Sequence, residues 1–154
     1  MRYKSKGLTL IELLVVITII GLLAGVFAIN VSKWRVRTRD SQRVSDIRTW
    51  QQGLALYFYR GEYIGSYPDY DIFITGSDSL SSELKTIGAM STAPADPINS
   101  GNYRYYYCTK QANCSGLSGG AGTGFPDGTS YILMYYLETN SIQGKSQGQN
   151  YATP

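Results

Sequence analysis

Two hydrophobic patterns follow one another along the first sixty residues and together predict one long helix. Residues 8–31 are almost entirely apolar, with Glu12 as the single charged residue, and their apolar positions surround a helical projection instead of marking one stripe. From Ser32 to Tyr59 the apolar positions recur at threes and fours, which is typical of an amphipathic helix. The apolar positions of this second half are Val36, Val44, Ile47, Leu54 and Phe58, flanked by Trp50 and Tyr57.

The rest of the chain predicts a small head of mixed structure. The expected elements are, in chain order, a loop (Gly61–Asp71), a short helix (Ser77–Ile87), two strands (Tyr103–Thr109 and Ser130–Glu138) and a loosely held tail or last edge strand (Thr139–Pro154). The two strand candidates are rich in aromatic and β-branched residues, so we expect them to pair in an antiparallel sheet. A long helix followed by antiparallel strands indicates an α+β fold.

The apolar first half of the helix needs a larger apolar environment than this head provides. As a helix, residues 8–31 would measure roughly 36 Å, which is enough to cross a bilayer. A secretory signal peptide, a plain membrane anchor and an unusually hydrophobic core helix are alternative interpretations. Glu12 argues against the first two, because a carboxylate in lipid costs about 2.5–3.5 kcal/mol and neither of them needs one.

The composition excludes most catalytic chemistry. The chain has 154 residues, no His and two Cys, so it cannot form a Ser-His-Asp or Cys-His arrangement or a closed zinc site of Cys and His. We therefore expect no enzymatic activity and no cofactor. Calcium is a secondary candidate at Asp96 or Asp127, but turn formation explains both residues better, since the twelve-residue EF-hand spacing is missing.

The two cysteines suggest a structural bond. Cys108 and Cys114 enclose five residues directly after the first predicted strand, a spacing that is not the CxxC redox motif. In an exported protein we expect a disulfide between them, which would hold the strand end and the following loop together.

Charge is distributed unevenly along the chain. The net charge is +3, but residues 33–60 sum to +5 and residues 61–154 to −4. This polarity suits contact between the basic stem of one copy and the acidic head of another. Basic residues alone do not predict nucleic-acid binding, so we expect the stem cations to be solvated or to face acidic heads of neighbouring copies: Lys33, Arg35, Arg37, Arg39 and Arg43.

The N-terminal residues resemble a known leader motif. The run is Lys6-Gly7-Leu8-Thr9-Leu10-Ile11-Glu12, followed by an aliphatic helix, and it is similar to the class III leader of type IV pilins and type II secretion pseudopilins. The shared features are a short basic leader ending in Gly, an apolar residue after the cut and Glu at the fifth mature position. Leu8 stands where the family more often has Phe, and Ile29 where many members have a helix-kinking Pro.

The resemblance implies how the protein is made and used. A prepilin peptidase would cut between Gly7 and Leu8, and the Leu8 amine would then be methylated. The precursor would lie in the bacterial cytoplasmic membrane, and an inner-membrane assembly platform with its ATPase would build it into a helical homo-oligomeric filament at the cell surface. The implied domains are a leader (1–7), a transmembrane or filament-core helix (8–31), the amphipathic half (32–60) and the head with its tail (61–154).

Glu12 has a physical role in such a filament. After cleavage, the α-amine of Leu8 is mostly protonated at neutral pH, and the buried carboxylate of a neighbouring copy can pair with it. We expect this pair to select one axial offset between helices more than it adds stability. Type IV pilin and pseudopilin stay open as alternatives, as do a minor tip pilin that binds DNA or surfaces and a monomeric membrane-anchored domain.

Overall fold

The structure is a computed structural model that describes residues 7, 9–60, 65–109 and 129–154, apart from the side chains of residues 26–30. Its elements are α1 (Leu10–Phe58), β1 (Asp71–Ile74), α2 (Ser79–Thr86), β2 (Tyr105–Cys108), β3 (Ile132–Leu137) and β4 (Gly148–Ala152). The α+β fold predicted from the sequence is confirmed, since a long N-terminal helix precedes a small antiparallel sheet.

The helix α1 runs through both hydrophobic patterns without interruption. The sequence contains no proline before Pro68, so no residue of this stretch removes a backbone donor. The chain divides into two compact units, Met1–Val36 and Arg37–Pro154. Within the described residues no helical stretch has the length and hydropathy needed to cross a membrane. The span predicted over 8–31 includes Leu8 and the side chains of residues 26–30, which lie outside the described part of the chain, so it stays a prediction.

The four strands form an antiparallel meander in the order β1-β2-β3-β4. The two predicted strands pair as expected, with Tyr106 of β2 opposite Met134 of β3. The tail contributes β4, so the edge-strand alternative is the correct one. Strand β1 was not predicted, because its four residues directly follow a glycine- and aspartate-rich loop and are too few for a reliable alternation signal.

The core of the second unit lies between α1 and the inner face of the sheet. The 3.6-residue pattern located the buried face of α1 correctly, and Trp50 and Tyr57, expected at its flanks, are also buried. Tyrosines form much of the core, and the hydroxyl of Tyr107 donates a hydrogen bond to the Pro68 carbonyl at 2.8 Å. The largest fully buried apolar and aromatic side chains of this core are Trp50, Leu54, Ile74, Leu80, Leu84, Tyr105, Tyr107, Tyr131, Leu133, Tyr135 and Leu137.

Two local features position α2 and the segment after it. Asp78 caps the helix, because its carboxylate accepts hydrogen bonds from the backbone N–H of Ser81 at 2.9 Å and of Thr75 at 2.8 Å. Gly53 allows close packing on α1, since a Cβ at this position would overlap the Met90 side chain. Both features hold the α2 region against the core.

Candidate functional site

Thr9 and Glu12 form a capping box at the start of α1. The backbone N–H and the hydroxyl of Thr9 both donate to Glu12 Oε2 at 2.8 Å, and the Glu12 N–H donates to Thr9 Oγ1 at 3.4 Å. This reciprocal arrangement satisfies backbone donors that the first helical turn leaves free. This local role of Glu12 was not predicted, although Thr followed three residues later by Glu before an apolar run is the usual signature of a capping box.

The predicted processing point directly precedes this capping box. Gly7 is exposed, and Leu8 lies outside the described residues. Glu12 is exposed as well, and no cation of the described residues forms an ion pair with its carboxylate. The pairing of Glu12 with the Leu8 amine of another copy stays a prediction.

The first unit exposes an apolar surface on all sides of its helix. Every residue from Thr9 to Gly25 is exposed, and the large apolar side chains range from Leu10 at 87% to Val16 at 48% exposed. Soluble monomers rarely leave a contiguous apolar surface of this size uncovered. This surface is therefore suited to lipid or to other copies of the same helix.

A buried ion cluster (Arg39, Asp40, Arg43, Asp96 and Glu138) connects α1 with the loops of the head. Arg43 lies at its centre, where Nε donates to Asp96 Oδ2 at 2.7 Å and Nη1 donates to Asp40 Oδ1 at 2.9 Å and to Glu138 Oε1 at 2.7 Å. Arg39 binds both oxygens of Glu138, at 2.7 and 2.5 Å. Asp40 and Arg43 are fully buried, so these charges depend on one another instead of on water.

Asp40 also fixes the chain that leaves β3. Its carboxylate accepts hydrogen bonds from the backbone N–H of Glu138 and of Thr139, both at 2.9 Å, and from the Thr139 hydroxyl at 2.7 Å. Among the described residues no buried side-chain nitrogen or oxygen lacks a hydrogen-bond partner. The cluster is thus fully satisfied, which is the condition under which a buried polar network is tolerated.

The prediction that all stem cations are solvated or face neighbouring copies is wrong for two of them. Arg39 and Arg43 pair with carboxylates of their own head, whereas Lys33, Arg35 and Arg37 are exposed. The physical reason is the direction in which each side chain projects around the axis of α1. Arg43 precedes the buried Ile47 by four residues, so it lies on the core face of α1.

The calcium candidate Asp96 has other partners in the structure. Its Oδ1 accepts hydrogen bonds from the backbone N–H of Ile98 at 2.8 Å and of Asn99 at 3.3 Å, while both oxygens also contact Arg43. In the part of the chain that the structure describes, no three His, Cys, Asp or Glu side chains are grouped to hold a metal ion. Asp127, the other candidate, lies outside the described residues.

The structure describes one of the two cysteines of the predicted disulfide. Cys108 ends β2, is fully buried and is not a free thiol. Its predicted partner, Cys114, lies outside the described residues, so the pairing stays a prediction.

The ion cluster shifts the pKa values of its members. The hydrogen bonds from Arg39, together with the one from Arg43, lower the pKa of Glu138 from 4.5 to about 2, against the opposing effect of burial. Burial alone would lower the pKa of Arg43, but its hydrogen bonds to Asp96 and Glu138 raise it above the ordinary value. Both shifts keep the pair charged at neutral pH.

This cluster predicts an acid-sensitive fold. Because the pKa of Glu138 is lower in the folded state than in the unfolded one, its contribution is complete above about pH 4.5 and is lost as the pH falls towards 2. Between pH 5 and pH 3 we expect the unfolding free energy of the unmodified chain to fall by about 2 kcal/mol more than that of Glu138→Gln. Urea unfolding at the two pH values measures this difference, and equal pH dependence in the two proteins would contradict it.

The fold and the N-terminal segment can each be compared with known proteins. A long N-terminal helix and a small four-stranded antiparallel sheet are consistent with the pilin fold. Residues 2–28 match the family described as the prokaryotic N-terminal methylation motif, and the chain therefore carries the class III prepilin-type leader of type IV pilins and pseudopilins, as the resemblance predicted. No curated protein and no solved structure matches the chain significantly.

Proposed function

We propose that the chain is a structural subunit of a type IV pilus or pseudopilus and has no catalytic activity of its own. The proposal depends mainly on one observation. The methylation motif at residues 2–28 overlaps the first part of α1, where every residue from Leu10 to Gly25 is exposed and all but Glu12 and Thr18 are apolar or glycine. A leader that marks the chain for cutting thus introduces the surface through which copies would assemble.

The apolar helix serves two successive environments in this proposal. The precursor is held in the cytoplasmic membrane by residues 8–31, and in the filament the same surface packs against equivalent helices. Both environments are apolar, so the transfer changes the hydrophobic free energy of the helix little. An assembly platform with its ATPase would supply the work of extraction.

Glu12 would set the stagger between subunits. The capping box holds its carboxylate at the first turn of α1, within four residues of the amine that cleavage would create at Leu8. The amine of one copy and the carboxylate of the next would each be costly to bury alone, and pairing offsets that cost only in good geometry. A pair with this property favours one register over its neighbours.

Processing provides the direct test of the proposed function. Filaments sheared from the cell surface should contain this chain with residues 1–7 removed and one methyl group on the Leu8 amine, which intact-mass spectrometry detects. Gly7→Val is expected to block cutting and leave the full-length chain in the membrane fraction. A mature product that still begins at Met1 would refute the proposal.

The abundance of the chain in sheared filaments distinguishes a major subunit from a tip subunit. A major subunit should dominate the sheared material, whereas a tip subunit should be rare in filaments built mainly of another protein. Filaments that form equally well without this chain would instead indicate a monomeric anchored domain.

A further inference from the structure

The outer face of the sheet carries a row of aromatic and thioether side chains across all four strands. The strand register places Phe73 opposite Tyr106, Tyr106 opposite Met134, and Met134 opposite Tyr151. Side chains alternate between the two faces of a sheet, so these four residues share the face opposite to the core. Phe73 is 41% exposed and the other three are half-buried.

A groove of about 300 Å³ opens on this face. Its lining combines flat apolar surfaces with amide and guanidinium groups, a composition that suits a small polar ligand. The side chains that line it include Phe73, Asn102, Arg104, Met134, Tyr136 and Gln149.

Arg104 is the single charged residue of this lining. Its guanidinium carbon lies 4.1 Å from the centroid of the Phe73 ring, and Nε donates to the Gly101 carbonyl at 3.2 Å. Among the described residues no carboxylate forms an ion pair with Arg104. Asp71, on the same face of β1, accepts a hydrogen bond from the Tyr106 hydroxyl and does not line the groove.

These contacts define what the groove can recognise. Stacking on Phe73 and the bond to Gly101 orient the guanidinium, and an oriented guanidinium is well matched to a carboxylate through two parallel hydrogen bonds. The aromatic rings provide flat surfaces for the C–H face of a sugar ring. The amides of Asn102 and Gln149 both donate and accept hydrogen bonds, which suits sugar hydroxyls.

We propose that this groove binds an acidic saccharide, a short glycan with one carboxylate, independently of the filament role of the chain. Arg104 pairs with the carboxylate, Phe73 contacts the sugar ring, and the two amides bind hydroxyls. Nucleic acid fits less well, because its affinity depends on neutralising several phosphates, whereas this groove offers one cation within a head segment of net charge −4.

A matched pair of disaccharides tests the proposal. Cellobiouronic acid carries a carboxylate where cellobiose has one hydroxymethyl group, so the ratio of their dissociation constants measures the contribution of the carboxylate that Arg104 would bind. We expect the full-length chain in neutral detergent to bind the acid at least about tenfold more tightly than cellobiose, in saturation-transfer NMR titrations. Equal affinity for both sugars, or no binding of either, would overturn the proposal.

Three variants and one competing ligand sharpen the test. Arg104→Gln should bring the affinity for the acid down to that for cellobiose, and Phe73→Leu should weaken both sugars. Arg48→Gln removes the same charge from an exposed position on α1 and should change neither affinity. If Arg48→Gln lost as much affinity for the acid as Arg104→Gln, the binding would be unspecific charge attraction, and the proposal would be overturned. If a ten-residue oligothymidylate bound more tightly than the acid, the groove would be a nucleic-acid site, which would also overturn the proposal.

Discussion

Glu12→Gln is expected to produce a protein that is cut, methylated and retained in the membrane but is almost absent from filaments. Glutamine can replace glutamate in a capping box, so the start of α1 is preserved. The charge is lost, and each Leu8 amine would enter the apolar filament core without a counter-ion. Leaving one member of a buried ion pair alone costs about 3–5 kcal/mol. The ratio of sheared to cell-bound protein measures the defect, and the mass of the cell-bound protein verifies processing.

Thr9→Ala is the matched control for this experiment. It removes the capping side chain but keeps the carboxylate, and it should cost about 0.5–2 kcal/mol at a helix end without affecting assembly. Glu12→Ala removes both functions and should fail at least as completely as Glu12→Gln. Normal filament yield from Glu12→Gln combined with failure of Thr9→Ala would show that Glu12 acts as a cap and not as a pairing partner.

The features that were predictable from the sequence are local ones. The course of α1 follows from two long periodic patterns, and the leader motif occupies consecutive residues, so neither requires knowledge of the fold. Strands β2 and β3 were also recognisable, since aromatic and β-branched runs favour a pleated, half-buried surface. Strand β1 contains only a short run of this kind, Ile72-Phe73-Ile74, which was too short to predict a strand, and its pairing with β2 defines it.

The ion cluster and the groove could not be read from the sequence, because both depend on long-range contacts. Arg43 meets Asp96 and Glu138, which are 53 and 95 residues away. The sequence around Arg43 resembles that around Arg37 and Arg48, which are exposed. Arg43 differs from them only in lying on the face of α1 that packs on the core. The groove likewise depends on the register that brings Phe73, Arg104 and Tyr136 to one face.

Arg43→Met is expected to destabilise the head more than any other single change in the ion cluster. Methionine fills part of the space, but Asp40 and Asp96 would remain buried without the guanidinium that binds them both. Breaking a buried pair in this way costs about 3–5 kcal/mol. Thermal unfolding of the full-length chain, followed by near-ultraviolet circular dichroism of Trp50 and the buried tyrosines, should show the loss.

The direction of the pH response distinguishes a lost counter-ion from a simple packing defect. In Arg43→Met the uncompensated carboxylates repel one another, so mild acid should partly restore stability, whereas the unmodified chain loses stability as the pH falls below about 4.5. Arg48→Met, on an exposed face of the same helix, should stay within about 0.5 kcal/mol of the unmodified chain at every pH. A variant at position 43 that is equally destabilised at pH 7 and pH 5 would mean that the arginine contributes through its packing volume and not through its charge.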